Sequence, residues 1–131
     1  MVNLKYSNNL VRKGDIFYVD LGTEKNGHIQ NGGEDGFRPC IVMTNQTACK
    51  VSPVLIVVPI TSSSDKLAKE LPTHMKLETL LEKPSIATFE QILTVNRYQL
   101  ENKVARLPKE MMEIAYEKLK ISLGIPFDCI A

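Results

Sequence analysis

The run VLIVVPIT at residues 54–61 is apolar on both of its alternating faces. Such a run predicts a central strand, so the rest of the chain has to supply its partners. Pro53 precedes the run and Pro59 interrupts it, and no stretch of the sequence approaches transmembrane length. With 131 residues, the chain is long enough for one domain to bury a core without covalent staples.

The partners are readable on either side. GDIFYVDL (14–21) has the β-branched and aromatic content of a strand after a Gly–Asp start, and RPCIVMTN (38–45) reads as a second. Between them, GTEKNGHIQNGGEDG (22–36) holds five glycines and two asparagines without periodicity, the signature of a long flexible loop. TACKVSP (47–53) reads as a turn, SSSDKLAKEL (62–71) as a polar loop, and THMKLE (73–78) as a weakly alternating strand. SIATFEQILTV (85–95) reads as one strand, with Ile86, Phe89 and Ile92 toward the core. Asn96 is placed to cap the turn RYQL, and KVARL (103–107) is the last strand. The period then changes. PKEMMEIAYEKLKISLG (108–124) opens with Pro and Glu, and carries Met112, Ala115, Tyr116, Leu119 and Leu123 at helical spacing toward the core. It closes on Gly124. Residues 1–10 are polar and read as a loosely held arm before a single domain at 11–131. Five or six short strands and one closing helix imply a mainly β fold: a small, strongly curved antiparallel sheet or half-open barrel.

Charge excludes a global electrostatic function, because the net charge is +1 and any nucleic-acid contact must come from a local patch. Three cysteines, Cys40, Cys49 and Cys129, stand at no metal spacing, and Cys40 reads as a small core residue. With no apolar export segment near the start, a reduced cytoplasm is the expected compartment. The nucleotide-binding, zinc-protease and serine-hydrolase motifs are absent. His74 sits in a strand pattern and reads as a partly buried polar residue; His28 sits in the long loop, within possible reach of a site. Arg38 starts one strand and ITSSS ends the next. Adjacent antiparallel strands set the start of one beside the end of the other, so Arg38, Thr61 and Ser62 fit a small anion site of guanidinium and hydroxyls. They fit equally a surface arginine paired with Glu34 or Asp35 beside a Ser-rich hairpin.

Six stretches in order, VRKGDIFYVDL, GGEDGFRPCIVMTN, VSPVLIVVPITSS, LPTHMKL, TFEQILTV and ISLGI, resemble the MazF/PemK family of toxin endoribonucleases over about residues 11–125. The resemblance implies an SH3-like half-open barrel of the CcdB/PemK kind with a C-terminal helix, acting as a homodimer. It implies cleavage of single-stranded RNA with no metal or other cofactor, by 2′-hydroxyl attack, leaving 2′,3′-cyclic phosphate and 5′-hydroxyl ends. Arg38 and Thr61 match the family's catalytic pair. Asn45 and Gln91 match positions lining the RNA groove, Glu34 falls near a family loop Glu, and Ser62 extends the hydroxyl set. A cognate antitoxin with an acidic, disordered tail is the implied partner, with no membrane involved. Phe37 and Tyr98 are available to stack on bases. Glu34, His28 and Arg38 itself are open as proton-transfer groups. Leu93 replaces the Arg of the family's EQIR pattern, leaving Lys66, Lys69 and Arg97 to supply the missing cation. The rival reading is a CcdB-like toxin that grips a protein such as DNA gyrase and performs no chemistry.

Overall fold

The computed structural model describes residues 10–23, 25, 32–33, 35–63 and 69–126. Among them run seven strands: β1 (Asp15–Asp20), β2 (Phe37–Val42), β3 (Val54–Thr61), β4 (His74–Leu77), β5 (Ser85–Thr88), β6 (Leu93–Asn96) and β7 (Leu100–Arg106). A short helix, α1 (Gln46–Val51), precedes β3, and a longer one, α2 (Lys109–Leu123), closes the chain. Every pairing is antiparallel. The order is β4-β5-β3-β2-β1-β7, with β6 also beside β3. The sheet does not close on itself, which gives the half-open barrel expected from the sequence. Irregular register between β1 and β7, around Phe17, adds the local bend that curves its edge.

β3 has the predicted bounds and the predicted central position. Its first half pairs with β6 and its last two residues with β5. Pro59 sits where the partner changes. Its carbonyl accepts from the Thr88 hydroxyl at 3.1 Å, so its polar edge points away from β2 and its missing N–H costs no bond to that strand. The strand is not buried throughout, because Val54 and Ile56 face solvent.

Residues from the two faces of the sheet build two apolar clusters. One contains Phe17, Val19, Cys40, Val57 and Leu100; the other contains Ile16, Ile41, Val58, Phe89 and Ala115. Asp15 is fully buried at the head of β1. Its carboxylate accepts from the Arg12 N–H at 2.9 Å and lies 3.1 Å from both Lys103 Nζ and Arg106 Nη1. A buried charge persists where it is paired and hydrogen-bonded in this way, and these bonds tie the Gly–Asp start to β7.

Three expectations need correction. TACKVSP is not only a turn: residues 46–51 form α1, because the Asn45 side chain caps the Ala48 N–H at 2.9 Å and Arg97 Nε and Nη2 donate to the Ser52 and Cys49 carbonyls at its end. The stretch 85–95 is two strands separated by a 3₁₀ turn, Phe89–Gln91. The helix row is only partly core. Ala115 is buried and Met112 and Leu119 pack against the second cluster, while Tyr116 and Leu123 are exposed. Tyr116 instead lies under the Lys13 ammonium, 4.6 Å from the ring centre. Gly124 ends α2 with φ +72, as a left-handed cap requires. Asn96 and Gln99 form a reciprocal capping box on the short turn that follows β6.

Among the described residues no helix is long and apolar enough to cross a membrane. Apart from Leu10, the expected arm at 1–10 lies outside the described residues, as do His28, Glu34, Lys66 and Cys129.

Candidate active site at one end of strands β2 and β3

The β2–β3 register pairs Cys40 with Pro59, Ile41 with Val58 and Val42 with Val57. The Met43 N–H donates to the Ile56 carbonyl at 2.9 Å, which makes 43/56 and 41/58 the hydrogen-bonded pairs. Val42/Val57 and Cys40/Pro59 are then the closer, non-hydrogen-bonded kind, whose side chains lean together on one face. Arg38 and Thr61 each lie two residues beyond the last of these pairs, and by alternation Arg38 shares a face with Cys40 and Thr61 with Pro59.

Arg38 is half-buried, and desolvation lowers its pKa, an effect the adjacent Cys40 sulfur opposes. Burial pushes the Cys40 thiol up to about 12, so Cys40 is a neutral core residue, as expected. A guanidinium held partly out of water attracts an anion more strongly than one in bulk solvent. The Thr61 hydroxyl oxygen accepts from the Ser63 N–H at 3.1 Å, which leaves its own proton for donation outward.

Gln91 is one strand away. The buried Thr88 hydroxyl lies 3.1 Å from the Pro59 carbonyl and 3.1 Å from the Gln91 amide. The Pro59 carbonyl oxygen and Gln91 Oε1 are both acceptors for this hydroxyl, which has one proton to share between them. Gln91 is thereby held beside Pro59, two residues from Thr61. Ser62 is exposed just past Thr61. Asn45 lies three residues past the end of β2, the end away from Arg38, where its side chain caps α1.

The long loop is drawn together at its base. The Leu21 N–H donates to the Gly36 carbonyl and the Gly32 N–H to the Gly22 carbonyl, both at 2.9 Å. At Gly32 a Cβ would lie 2.1 Å from the Gly36 carbonyl carbon, so only glycine lets the two sides pass.

His74 and Glu90 are tied to each other and to the fold. His74 is buried, with Nδ1 3.2 Å from the Lys69 carbonyl and Nε2 3.0 Å from Glu90. Burial raises the Glu90 pKa, but hydrogen bonds from Thr73, its own backbone and His74 outweigh that and hold it below the usual range. Arg97 serves α1 and is committed away from Arg38. Among the described residues, no three His, Cys, Asp or Glu side chains form a metal-ligand group.

Tyr18 is the residue that sequence reading passed over. It lies within an apolar, aromatic strand pattern, yet it is exposed at the open end of the sheet beside Pro39. Phe37 is also exposed at this end, while Tyr98 lies near α1, its hydroxyl accepting from Asn96.

A family model described as PemK-like, MazF-like toxin of type II toxin-antitoxin system matches residues 12–123. The chain belongs to that family. Among curated PemK/MazF relatives, Endoribonuclease EndoA of Bacillus subtilis (strain 168) is 32% identical over 119 residues, covering 88% of this chain and 97% of EndoA. Two solved structures share the PemK/MazF fold. An endoribonuclease in complex with its cognate antitoxin from a Mycobacterial species superposes with a TM-score of 0.71 at 16% identity, covering 89% of this chain and 98% of that one. Mycobacterium tuberculosis toxin MazF-mt6 gives 0.69 at 16% identity, covering 86% and 99%.

Proposed function

We propose that this protein is the toxin of a type II toxin–antitoxin pair and an endoribonuclease that cuts single-stranded RNA without metal, in the cytoplasm. The observation that carries the reading is a partly desolvated guanidinium, Arg38, two residues beyond the last β2–β3 pair on one strand, with the Thr61 hydroxyl two residues beyond it on the other.

The chemistry requires little more than these groups. The RNA 2′-hydroxyl attacks the adjacent phosphorus, forming a 2′-oxygen–phosphorus bond as the bond to the 5′-oxygen breaks. One proton leaves the 2′-hydroxyl and one reaches the departing 5′-oxygen. Between those events the phosphorane carries extra negative charge. Arg38 offers a planar fork to that charge, and Thr61 adds a hydrogen bond to the same oxygens. Glu34, His28 and Arg38 are the groups proposed for proton transfer. Gln91, held by Thr88, and Ser62 extend the contact along the strand, while Glu34 and Asn45 are assigned to the RNA path as matching family positions.

The reading includes a homodimer, supported by an uncovered apolar row, Ile114, Ile121 and Ile125, along α2 and just beyond its end. It also includes a cognate antitoxin, of the kind bound to the Mycobacterial relative named above. An acidic, disordered tail folding onto the protein can place carboxylates where phosphate would sit.

Replacing the single 2′-hydroxyl next to the cut with hydrogen tests the chemistry. The substituted RNA is expected to bind with unchanged affinity and to remain intact in a gel assay. Cleavage of that RNA at the same bond would exclude 2′-hydroxyl attack.

A further inference from the structure

We infer that Tyr18 is a stacking platform for a nucleobase next to the scissile phosphate and sets base preference there; the inference rests on the RNA-cleaving reading above. Register pairs Tyr18 with Pro39, and the Ile60 side chain lies on the same face of the neighbouring strand. These three floor a cleft of about 520 Å³ at the open end of the sheet, a size typical of small-ligand pockets. Leu81, Glu82, Lys83 and Ser62 stand among its walls, giving an apolar floor with hydroxyl, carboxylate and ammonium groups at the rim. Tyr18 also lines a second depression of about 370 Å³ shared with Phe37. The ring therefore partitions two hollows and is 41% exposed.

Position selects the occupant. Pro39 follows Arg38 in the chain, and Ile60 and Ser62 flank Thr61. The cleft thus opens on the reverse face of the strand ends that carry the phosphate groups, one residue away. A strand of RNA whose phosphate lies on Arg38 and Thr61 reaches the cleft by turning over that end. A flat base, whose edges carry both donors and acceptors, fits an aromatic partition bordered by hydroxyls, an ammonium and a carboxylate, and stacking is how single-stranded bases are held.

The test uses the full-length protein and a short RNA containing its cut site, with Tyr18→Ala, Tyr18→Phe and Arg38→Ala measured in parallel. Tyr18→Ala is expected to raise KM by about 5–150-fold with kcat near wild type, since a stacking contact is made in ground and transition states alike. Tyr18→Phe should restore KM, because the ring is kept. An RNA abasic at the stacked nucleotide should weaken the wild type to the level of Tyr18→Ala and weaken Tyr18→Ala no further. Circular dichroism should show all variants folded. An unchanged KM and cut-site preference in Tyr18→Ala, alongside an inactive Arg38→Ala, would overturn the stacking assignment and leave the nuclease reading intact. An active Arg38→Ala would instead remove the reading itself. Loss of binding to an antitoxin tail peptide with RNA affinity unchanged would make the cleft a protein groove and also overturn the inference.

Discussion

Changing Arg38 to alanine should slow RNA cleavage by about 10²–10³-fold, the usual consequence of removing one preorganised donor from a developing anion. The protein should still unfold cooperatively, because Arg38 stands at the open end of the sheet and its neighbours Val19, Cys40 and Pro59 are held by the rest of the barrel. The loss should appear in kcat more than in KM, since the extra negative charge exists only in the transition state. Arg38→Lys should recover little. An ammonium is a point charge and does not present two parallel N–H groups to phosphate. Thr61→Ala should be milder, as it removes one hydrogen bond and leaves the cation. Single-turnover cleavage combined with thermal melts checks all three. Near wild-type cleavage by folded Arg38→Ala would mean that phosphate is held elsewhere.

Phe89→Ala should be the most destabilising single change considered, at about 3–5 kcal/mol. Phe89 is fully buried in the second cluster, at the start of the 3₁₀ turn between β5 and β6. Its N–H donates to the Thr73 carbonyl at 3.1 Å, and its carbonyl accepts from Ser122 Oγ of α2 at 2.7 Å. The side chain therefore fills the junction of the turn, β4 and the closing helix. A cavity there also loosens the turn that carries Gln91 toward Pro59. Urea unfolding measures the loss, and a change below about 1 kcal/mol, the level of an ordinary surface substitution, would contradict the packing described.

What the sequence disclosed followed local chemistry. The bounds of β3, the capped turn after Asn96 and the helix stop at Gly124 were all legible from periodicity and cap residues. The parts that escaped depend on distant residues. α1 is six residues long and is secured at its C-terminal end by Arg97, which lies 48 positions from Cys49. The break in 85–95 arises because β3 takes two partners on one edge, with the 3₁₀ turn between them. Tyr18 reads as one more member of an apolar strand. It alternates with buried Phe17 and Val19 and is exposed like Asp20 two residues on, a period-2 pattern that the strand's apolar content obscures. Asn45 shows the converse: a position matched to the RNA groove has a local duty as the cap of α1.

The central claim is tested most directly by incubating the purified protein with single-stranded RNA in excess EDTA and determining the chemistry of the new ends. The account predicts undiminished cutting, with 2′,3′-cyclic phosphate, or the phosphate formed by its opening, on one fragment and 5′-hydroxyl on the other. Cutting that stops in EDTA and returns with added divalent metal, or fragments ending in 3′-hydroxyl, would contradict it.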